Sequence, residues 1–152
     1  MTHQRKNNID QKLNKRLSVQ FSLTGLSFLV TELSSKEALF FLEIKFDNSP
    51  SPEELLENLK KSILENEGLQ DDFDEILAIY ATNLYALVPS PLFHETKASD
   101  YLKLNSKILA NDFIAHDTLD NQDLIIVYIP YININNYLFE RFGLFKYYHS
   151  TT

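Results

Sequence analysis

Residues 21–30 read FSLTGLSFLV, two apolar runs separated by the polar step Thr24-Gly25. Apolar and polar side chains alternate from residue 17 to residue 23, and a second alternation follows over residues 26–30. Alternation with a period of two is typical of a strand with one buried face. The stretch therefore predicts a β-hairpin that turns at Thr24-Gly25.

A third strand and a helix are predicted directly after the hairpin. Residues 37–46, EALFFLEIKF, are almost continuously apolar, and such a run suits a central strand that is covered on both faces. Ser51 is the expected N-cap of the helix, Pro52 its first residue, and Glu54 completes a capping box. Gly68 is expected to end the helix in a left-handed turn. Together these elements predict a β-β-β-α unit.

The rest of the chain alternates predicted strand pairs with predicted helices. The strands are expected at about 75–81, 84–89, 112–118 and 123–129, and the helices at about 92–110 and from Asn133, as the cap, to Gly143. Residues 144–152 begin a last aromatic strand, which is expected at a sheet edge or in a chain cut in mid-fold. The pattern predicts an α/β fold with a mixed sheet.

Composition excludes several kinds of chemistry. The 152 residues include no cysteine, which excludes disulfides, thiolate zinc sites and a cysteine nucleophile. No apolar run approaches the roughly 18 residues of a membrane span, and the N-terminus lacks the apolar core of a secretory signal. We therefore expect a cytoplasmic protein with no membrane partner.

The net charge of −7 is unevenly distributed. Residues 1–16 carry five basic side chains and one acidic side chain, whereas the remaining residues carry nine basic and twenty acidic side chains. A domain that binds nucleic acid needs the opposite sign, because neutralising phosphates dominates its affinity. We expect no nucleic-acid partner, a flexible basic N-terminus over residues 1–15, and one domain over residues 16–152.

Short motifs do not select a reaction. GLSFL lacks the second glycine of a nucleophile elbow, and the three glycines are too far apart for a phosphate cradle. HETKA lacks the second histidine of a zinc motif, and the acidic stretch 65–75 lacks the register of a calcium loop. The histidines have no metal-like spacing: His3, His94, His116 and His149. We expect no catalytic residue, metal or cofactor.

Two further groups of residues remain ambiguous in the sequence. No two carboxylates near the predicted strands can be paired for acid–base chemistry: Glu43, Asp47, Asp112 and Asp117. Several tyrosines are candidates for a stacking surface or for the cover of a sheet edge: Tyr128, Tyr131, Tyr137, Tyr147 and Tyr148.

Three phrases resemble a known family. LSVQFSLTGLSFLV, YALVPSPLF with DYLKLN, and IPYININNYLFERFG followed by YYHSTT are similar to an uncharacterised Bacteroidetes family of unknown function, whose described fold is actin-like and related to ribonuclease H. The resemblance runs from about residue 16 to the end. Because family members are longer, it implies that this chain corresponds to their first part.

The resemblance gives the first hairpin a specific meaning. In active actin-like ATPases this hairpin carries an acidic residue and, two positions on, a glycine, which hold metal-bound phosphates against bare backbone. Aligning the hairpins places Ser22 at the acid and Thr24 at the glycine, with Gly25 one position late. A hydroxyl does not anchor Mg²⁺ as a carboxylate does, and the Cβ of Thr24 would crowd a phosphate.

These features lead to two hypotheses. The first is a non-catalytic actin-like binding or scaffolding module, whose partner is another protein or a second copy of the chain. The alternative is a degenerate nucleotide-binding protein, with a phosphate site near Ser22, Thr24, Gly25 and Ser27 and its metal ligands supplied elsewhere.

Overall fold

Two β-sheets and three α-helices are formed by residues 13–103 and 113–152, the part of the chain that the computed structural model describes. The strands are β1 Lys15–Ser22, β2 Gly25–Glu32, β3 Ala38–Lys45, β4 Glu75–Ala81, β5 Tyr85–Pro89, β6 Ala115–Leu119, β7 Leu124–Tyr128 and β8 Lys146–His149. The helices are α1 Pro52–Glu65, α2 Ala98–Lys103 and α3 Ile132–Phe142. None of these helices is long and apolar enough to cross a membrane.

The larger sheet has five strands in the order β3-β2-β1-β4-β8. β1, β2 and β3 form the predicted antiparallel meander, and β4 and β8 are added parallel to β1. Phe21 lies opposite Leu26, so Ser22 and Gly25 close the hairpin around a two-residue loop, Leu23-Thr24. The mixed sheet confirms the predicted fold class.

Helices α1 and α3 pack together on one face of this sheet and enclose the main core. The fully buried strand residues on that face include Leu17, Val19, Phe21, Leu26 and Phe28. Leu55 and Leu59 of α1 and Leu138 of α3 pack against them. On the opposite face Gln20, in the central strand β1, is exposed. We call this opposite side the open face, because none of the described helices covers it.

Strand β3 lies at a sheet edge, so the prediction of a central strand covered on both faces was wrong. Within the described ranges β3 pairs only with β2. Its burial alternates: Leu42 and Ile44 are half-buried, whereas the Phe41 side chain between two such positions is 62% exposed. The apolar run was misleading because Phe41 lies on the open face, and hydrophobicity alone does not encode strand order.

The two longer helices begin in different ways. As predicted, Ser51 caps α1: its Oγ accepts the Glu54 N–H at 3.1 Å, and the Glu54 carboxylate accepts the Ser51 N–H at 2.9 Å. This hydrogen bond lowers the pKa of Glu54. Asn133, however, does not cap α3, whose N-cap is Tyr131. The Asn133 amide instead donates to the Pro52 carbonyl at 3.0 Å, and so links the starts of the two helices.

The two glycines predicted to end these helices also differ. Gly143 ends α3 with a φ of 87°, as expected for a residue without a side chain. Helix α1 ends at Glu65, and Gly68 lies in a 3₁₀ turn without a left-handed φ, so that prediction was wrong. A Cβ on Gly68 would lie 2.7 Å from a ring atom of Phe40. Close packing, and not turn geometry, therefore requires this glycine.

A smaller sheet, in the order β5-β7-β6, lies between β4 and α3 in the sequence. β6 and β7 form the predicted antiparallel pair, but β4 and β5, joined by only three residues, belong to different sheets. The predicted helix 92–110 begins later, because two 3₁₀ turns precede α2. Residues 104–110 of that prediction lie outside the described ranges, as do residues 111 and 112 and residues 1–12. The division at residues 15 and 16 stays a prediction.

Candidate functional site

The candidate site lies beyond the carboxyl ends of the parallel strands β1, β4 and β8. In open α/β sheets, ligands bind in the crevice at these strand ends. A cavity of about 320 Å³ lies there, and we call it the strand-end cavity. Its lining includes Ser22 and Thr24 from the first hairpin, Thr82 and Asn83 after β4, and His149 at the end of β8. Among the described residues, no Asp, Glu, Lys or Arg lines it.

The Ser22 hydroxyl organises the first hairpin. Its Oγ accepts the backbone N–H groups of Thr24 at 3.2 Å and of Gly25 at 3.0 Å. The same oxygen lies 3.1 Å from the Gly25 carbonyl, to which it donates, and 3.2 Å from the Thr24 hydroxyl. A phosphate-binding turn offers its backbone N–H groups to the ligand. Here the N–H groups of Thr24 and Gly25 are already bonded within the protein.

Gly25 is required by the approach of β3 to the hairpin. A Cβ at this position would lie 2.3 Å from the Ile44 carbonyl oxygen, which is closer than a Cβ approaches a non-bonded atom in proteins. The next residue pair also joins the two segments, because the Phe46 N–H donates to the Thr24 carbonyl at 2.9 Å. Gly25, which stands one position late for a phosphate-binding turn, is therefore explained by the close packing of β3 against the hairpin.

The four residues that the sequence suggested for a phosphate site do lie together. Ser22, Thr24, Gly25 and Ser27 line a second cavity, of about 360 Å³, on the open face. Two charged residues of β3, Glu43 and Lys45, also line this cavity, and the sequence did not place them beside the hairpin. They lie beside the hairpin because β3 pairs with β2, which places Glu43 opposite Ser27 and Lys45 opposite Gly25.

His149 is buried, with 2% of its surface exposed, and both of its ring nitrogens have partners. Nδ1 accepts the Thr151 N–H at 3.1 Å, and Nε2 lies 2.8 Å from the Thr82 carbonyl. Because Nδ1 accepts, these partners assign the donating role to Nε2. The other described histidines, His94 and His116, are exposed. None of the described histidines takes part in a group of side chains able to hold a metal.

Asp117 of β6 connects the smaller sheet to the end of β8. Its carboxylate accepts the backbone N–H of His149 at 2.9 Å, the Thr152 hydroxyl at 2.7 Å and the Tyr128 hydroxyl at 3.2 Å. Burial, and then the charge of Asp117, raises the pKa of Tyr128. The sequence could not predict the hydrogen-bond partners of Asp117. They are two hydroxyls and a backbone amide, and no sequence motif identifies such partners.

Three residues around the strand-end cavity were missed by the sequence reasoning. Thr82 is only 6% exposed, and its Oγ1 has no hydrogen-bond partner among the described residues. The Tyr85 ring lies 4.3 Å from the His149 ring, and Asn83 lies between Thr82 and β5. These residues simply follow β4, and only the parallel pairing of β4 with β1 brings them to the first hairpin.

The tyrosines do not form one stacking surface. Tyr128 is fully buried, whereas Tyr148 of β8 is 38% exposed on the open face. Tyr80, at the centre of the core, places its hydroxyl 2.5 Å from the Asn135 Oδ1 and 3.2 Å from the Tyr131 carbonyl. Burial raises the pKa of Tyr80 far above its ordinary value. The Tyr80 and Tyr128 hydroxyls therefore make hydrogen bonds inside the protein and are not available to a stacked ligand.

Comparison with known proteins identifies the family. The model of the DUF3822 family, proteins of unknown function, matches residues 4–152, so the chain belongs to this family. No curated protein sequence matches.

One solved structure supports the fold. A Bacteroides thetaiotaomicron protein with an actin-like ATPase fold and unknown function is 21% identical, with a TM-score of 0.79 over 94% of this chain and 55% of that one. The cytoplasmic domain of EpsL, from the type II secretion system of Vibrio cholerae, is 10% identical, with a TM-score of only 0.46 over 90% of this chain and 55% of that one. The first likeness confirms the actin-like fold and the resemblance to a Bacteroidetes family. This chain spans about half the length of both proteins.

Proposed function

We propose that this DUF3822 protein is a non-catalytic actin-like domain that binds another protein or a second copy of the same chain. The observation that carries the proposal is the hydrogen bonding of Ser22, whose hydroxyl takes up the N–H groups of Thr24 and Gly25. The position where an active relative needs a metal-binding carboxylate thus holds a side chain that closes its own turn. Fold likeness alone does not supply an activity.

The open face supports the protein-binding part of the proposal. Across the sheet, strand pairing aligns one row of residues as Phe41, Leu29, Ser18, Leu77 and Lys146, and the next row as Glu43, Ser27, Gln20, Ile79 and Tyr148. Each row has small or polar side chains in the middle, apolar or aromatic side chains beside them, and one charged residue at an end, Lys146 in the first row and Glu43 in the second. Large apolar side chains that a sheet face leaves exposed, as Phe41 and Tyr148 are here, are frequent in protein interfaces.

Charge and composition support two further parts of the proposal. The strongly acidic balance after residue 16 disfavours a nucleic-acid partner, because phosphates would be repelled. A chain without cysteine suits a reducing compartment, and we keep the cytoplasm as the proposed location.

The second candidate function is a degenerate nucleotide-binding protein. The strand-end cavity favours it, because it lies where open α/β folds bind ligands and because the buried Thr82 hydroxyl there has no described partner. Thermal unfolding with and without ATP and Mg²⁺ separates the two functions. A ligand at about 100 times its dissociation constant would stabilise the fold by about 2.7 kcal/mol. The first proposal predicts no shift at millimolar nucleotide, and a saturable shift would favour the second.

The protein-binding proposal is tested by in-cell cross-linking with variants of the open face. Tyr148→Glu places a charge on the flank of this face, and Leu64→Glu places the same charge on α1, where Leu64 is 75% exposed. We expect Tyr148→Glu to remove cross-linked partners that the wild type and Leu64→Glu both retain. Equal cross-linking by all three proteins would show that the open face is not the binding surface.

A further inference from the structure

We propose that the free edge of β3 pairs with β3 of a second copy, so that two five-stranded sheets join into one. The inference rests on the proposed function and names the partner as the same chain. β3 is the longer of the two edge strands in the described sheet, with eight residues against four in β8. A free strand edge is a template for pairing, and its register is set by the side chains along it.

The backbone of β3 alternates between its partner β2 and the free edge. Because the Phe46 N–H donates to Thr24, the residues two and four positions earlier, Ile44 and Leu42, also bond to β2 in an antiparallel ladder. Glu43 and Lys45 therefore direct their N–H and C=O groups outward. The β2–β3 register is regular from Phe40 to Lys45, since its only shift falls between Val30 and Thr31.

The charges of Glu43 and Lys45 favour one register when β3 of two copies pair antiparallel about a two-fold axis. With the axis at Ile44, Glu43 of each copy lies opposite Lys45 of the other, and both are outward-bonding residues. An axis at Glu43 would oppose two carboxylates, and an axis at Lys45 would oppose two ammonium groups. Glu43 and Lys45 are exposed, and neither makes an ion pair within the described part of the chain. Opposite charges directly across a strand pair stabilise it, and like charges destabilise it.

The same register also matches the apolar side chains on the helix-covered face. Ile44 meets Ile44 of the second copy, and Leu42 lies opposite Phe46 of the second copy. All three residues are half-buried and pack against the main core. Pairing would therefore extend a hydrophobic layer that already exists. Charged residues on an edge usually prevent pairing, but here they disfavour the two neighbouring registers, with axes at Glu43 and Lys45, and favour the register between them.

Charge reversal tests the register. Sedimentation of the full chain over a range of concentrations should show a dimer, and Glu43→Lys or Lys45→Glu should each raise its dissociation constant on the order of tenfold. The double variant, Glu43→Lys with Lys45→Glu, should restore the wild-type value. An equimolar mixture of the two single variants should form a heterodimer more readily than either forms a homodimer. Glu57→Lys, an exposed charge reversal on α1, is the matched control and should change nothing.

Amide hydrogen exchange provides a second readout that does not depend on charge. The amides of Leu42 and Ile44 should be protected at every concentration, whereas those of Glu43 and Lys45 should become protected only as the dimer forms. A strict monomer, or charge reversals that the double variant does not rescue, would overturn the inference. Loss of cross-linked partners in Tyr148→Glu would still support the proposed function in that case, whereas a saturable nucleotide shift would count against the proposed function itself.

Discussion

Asp117 accepts a hydrogen bond from the backbone N–H of His149 at 2.9 Å, although the two residues belong to different sheets. The same carboxylate accepts the hydroxyls of Tyr128 and Thr152. His149 in turn reaches the Thr82 carbonyl at the end of β4. One carboxylate therefore links the smaller sheet to the end of β8, beside the strand-end cavity.

Removing this carboxylate should destabilise the protein. Asp117→Ala leaves the His149 N–H and the Tyr128 hydroxyl without their acceptor, and we expect a loss of about 1–3 kcal/mol in the free energy of unfolding. Chemical denaturation measures it. Asp120→Ala, a nearby exposed carboxylate, is the control and should change the value by less than about 0.5 kcal/mol. Equal effects from both variants would refute the linking role of Asp117.

Two glycine substitutions should differ in severity. In Gly25→Ala the new Cβ meets a backbone carbonyl at 2.3 Å, whereas in Gly68→Ala it meets the Phe40 side chain at 2.7 Å. A side chain moves more easily than paired backbone, so we expect a loss of about 3 kcal/mol for Gly25→Ala and about 1 kcal/mol for Gly68→Ala. Thermal or chemical unfolding measures both. A smaller loss at Gly25 would show that the hairpin is not held tightly against β3.

Alkaline titration should reveal the buried tyrosines. Burial raises the pKa of Tyr80 and Tyr128 in the folded state above the unfolded value of about 10. Their contribution to stability is complete below that unfolded value and is lost as the pH rises above it. Absorbance titration should show these two of the eight tyrosines ionising only as the protein unfolds. Ionisation of all eight near pH 10 in the folded protein, about the ordinary tyrosine value, would contradict their burial.

Local patterns in the sequence predicted much of the fold. The alternation in residues 17–30 predicted the hairpin, and Ser51 with Glu54 predicted the start of α1, because both signals act between residues close in sequence. The edge position of β3 could not be predicted. It follows from the pairing of β1 with β4, which extends the sheet on the side away from β3 and joins residues far apart in the sequence. The role of Gly68 was equally hidden, because its contact, Phe40, lies in another strand.

The candidate site was less accessible to sequence reasoning than the fold. The resemblance identified the first hairpin, and Ser22, Thr24, Gly25 and Ser27 do line one cavity. The hydrogen bonds of Ser22 depend on the geometry of the turn, which residue types alone do not specify. Thr82 and His149 join the strand-end cavity only through the parallel pairing of β4 with β1 and β8.

We infer that the Thr24 and Gly25 amides serve the hairpin and not a phosphate. Two-dimensional NMR of isotope-labelled protein, titrated with ATP and Mg²⁺, observes these two amides directly. We predict that their resonances stay unchanged up to millimolar nucleotide, because the Ser22 oxygen already accepts both N–H groups. Saturable shifts centred on Thr24 and Gly25 would show instead that the hairpin is a nucleotide-binding turn.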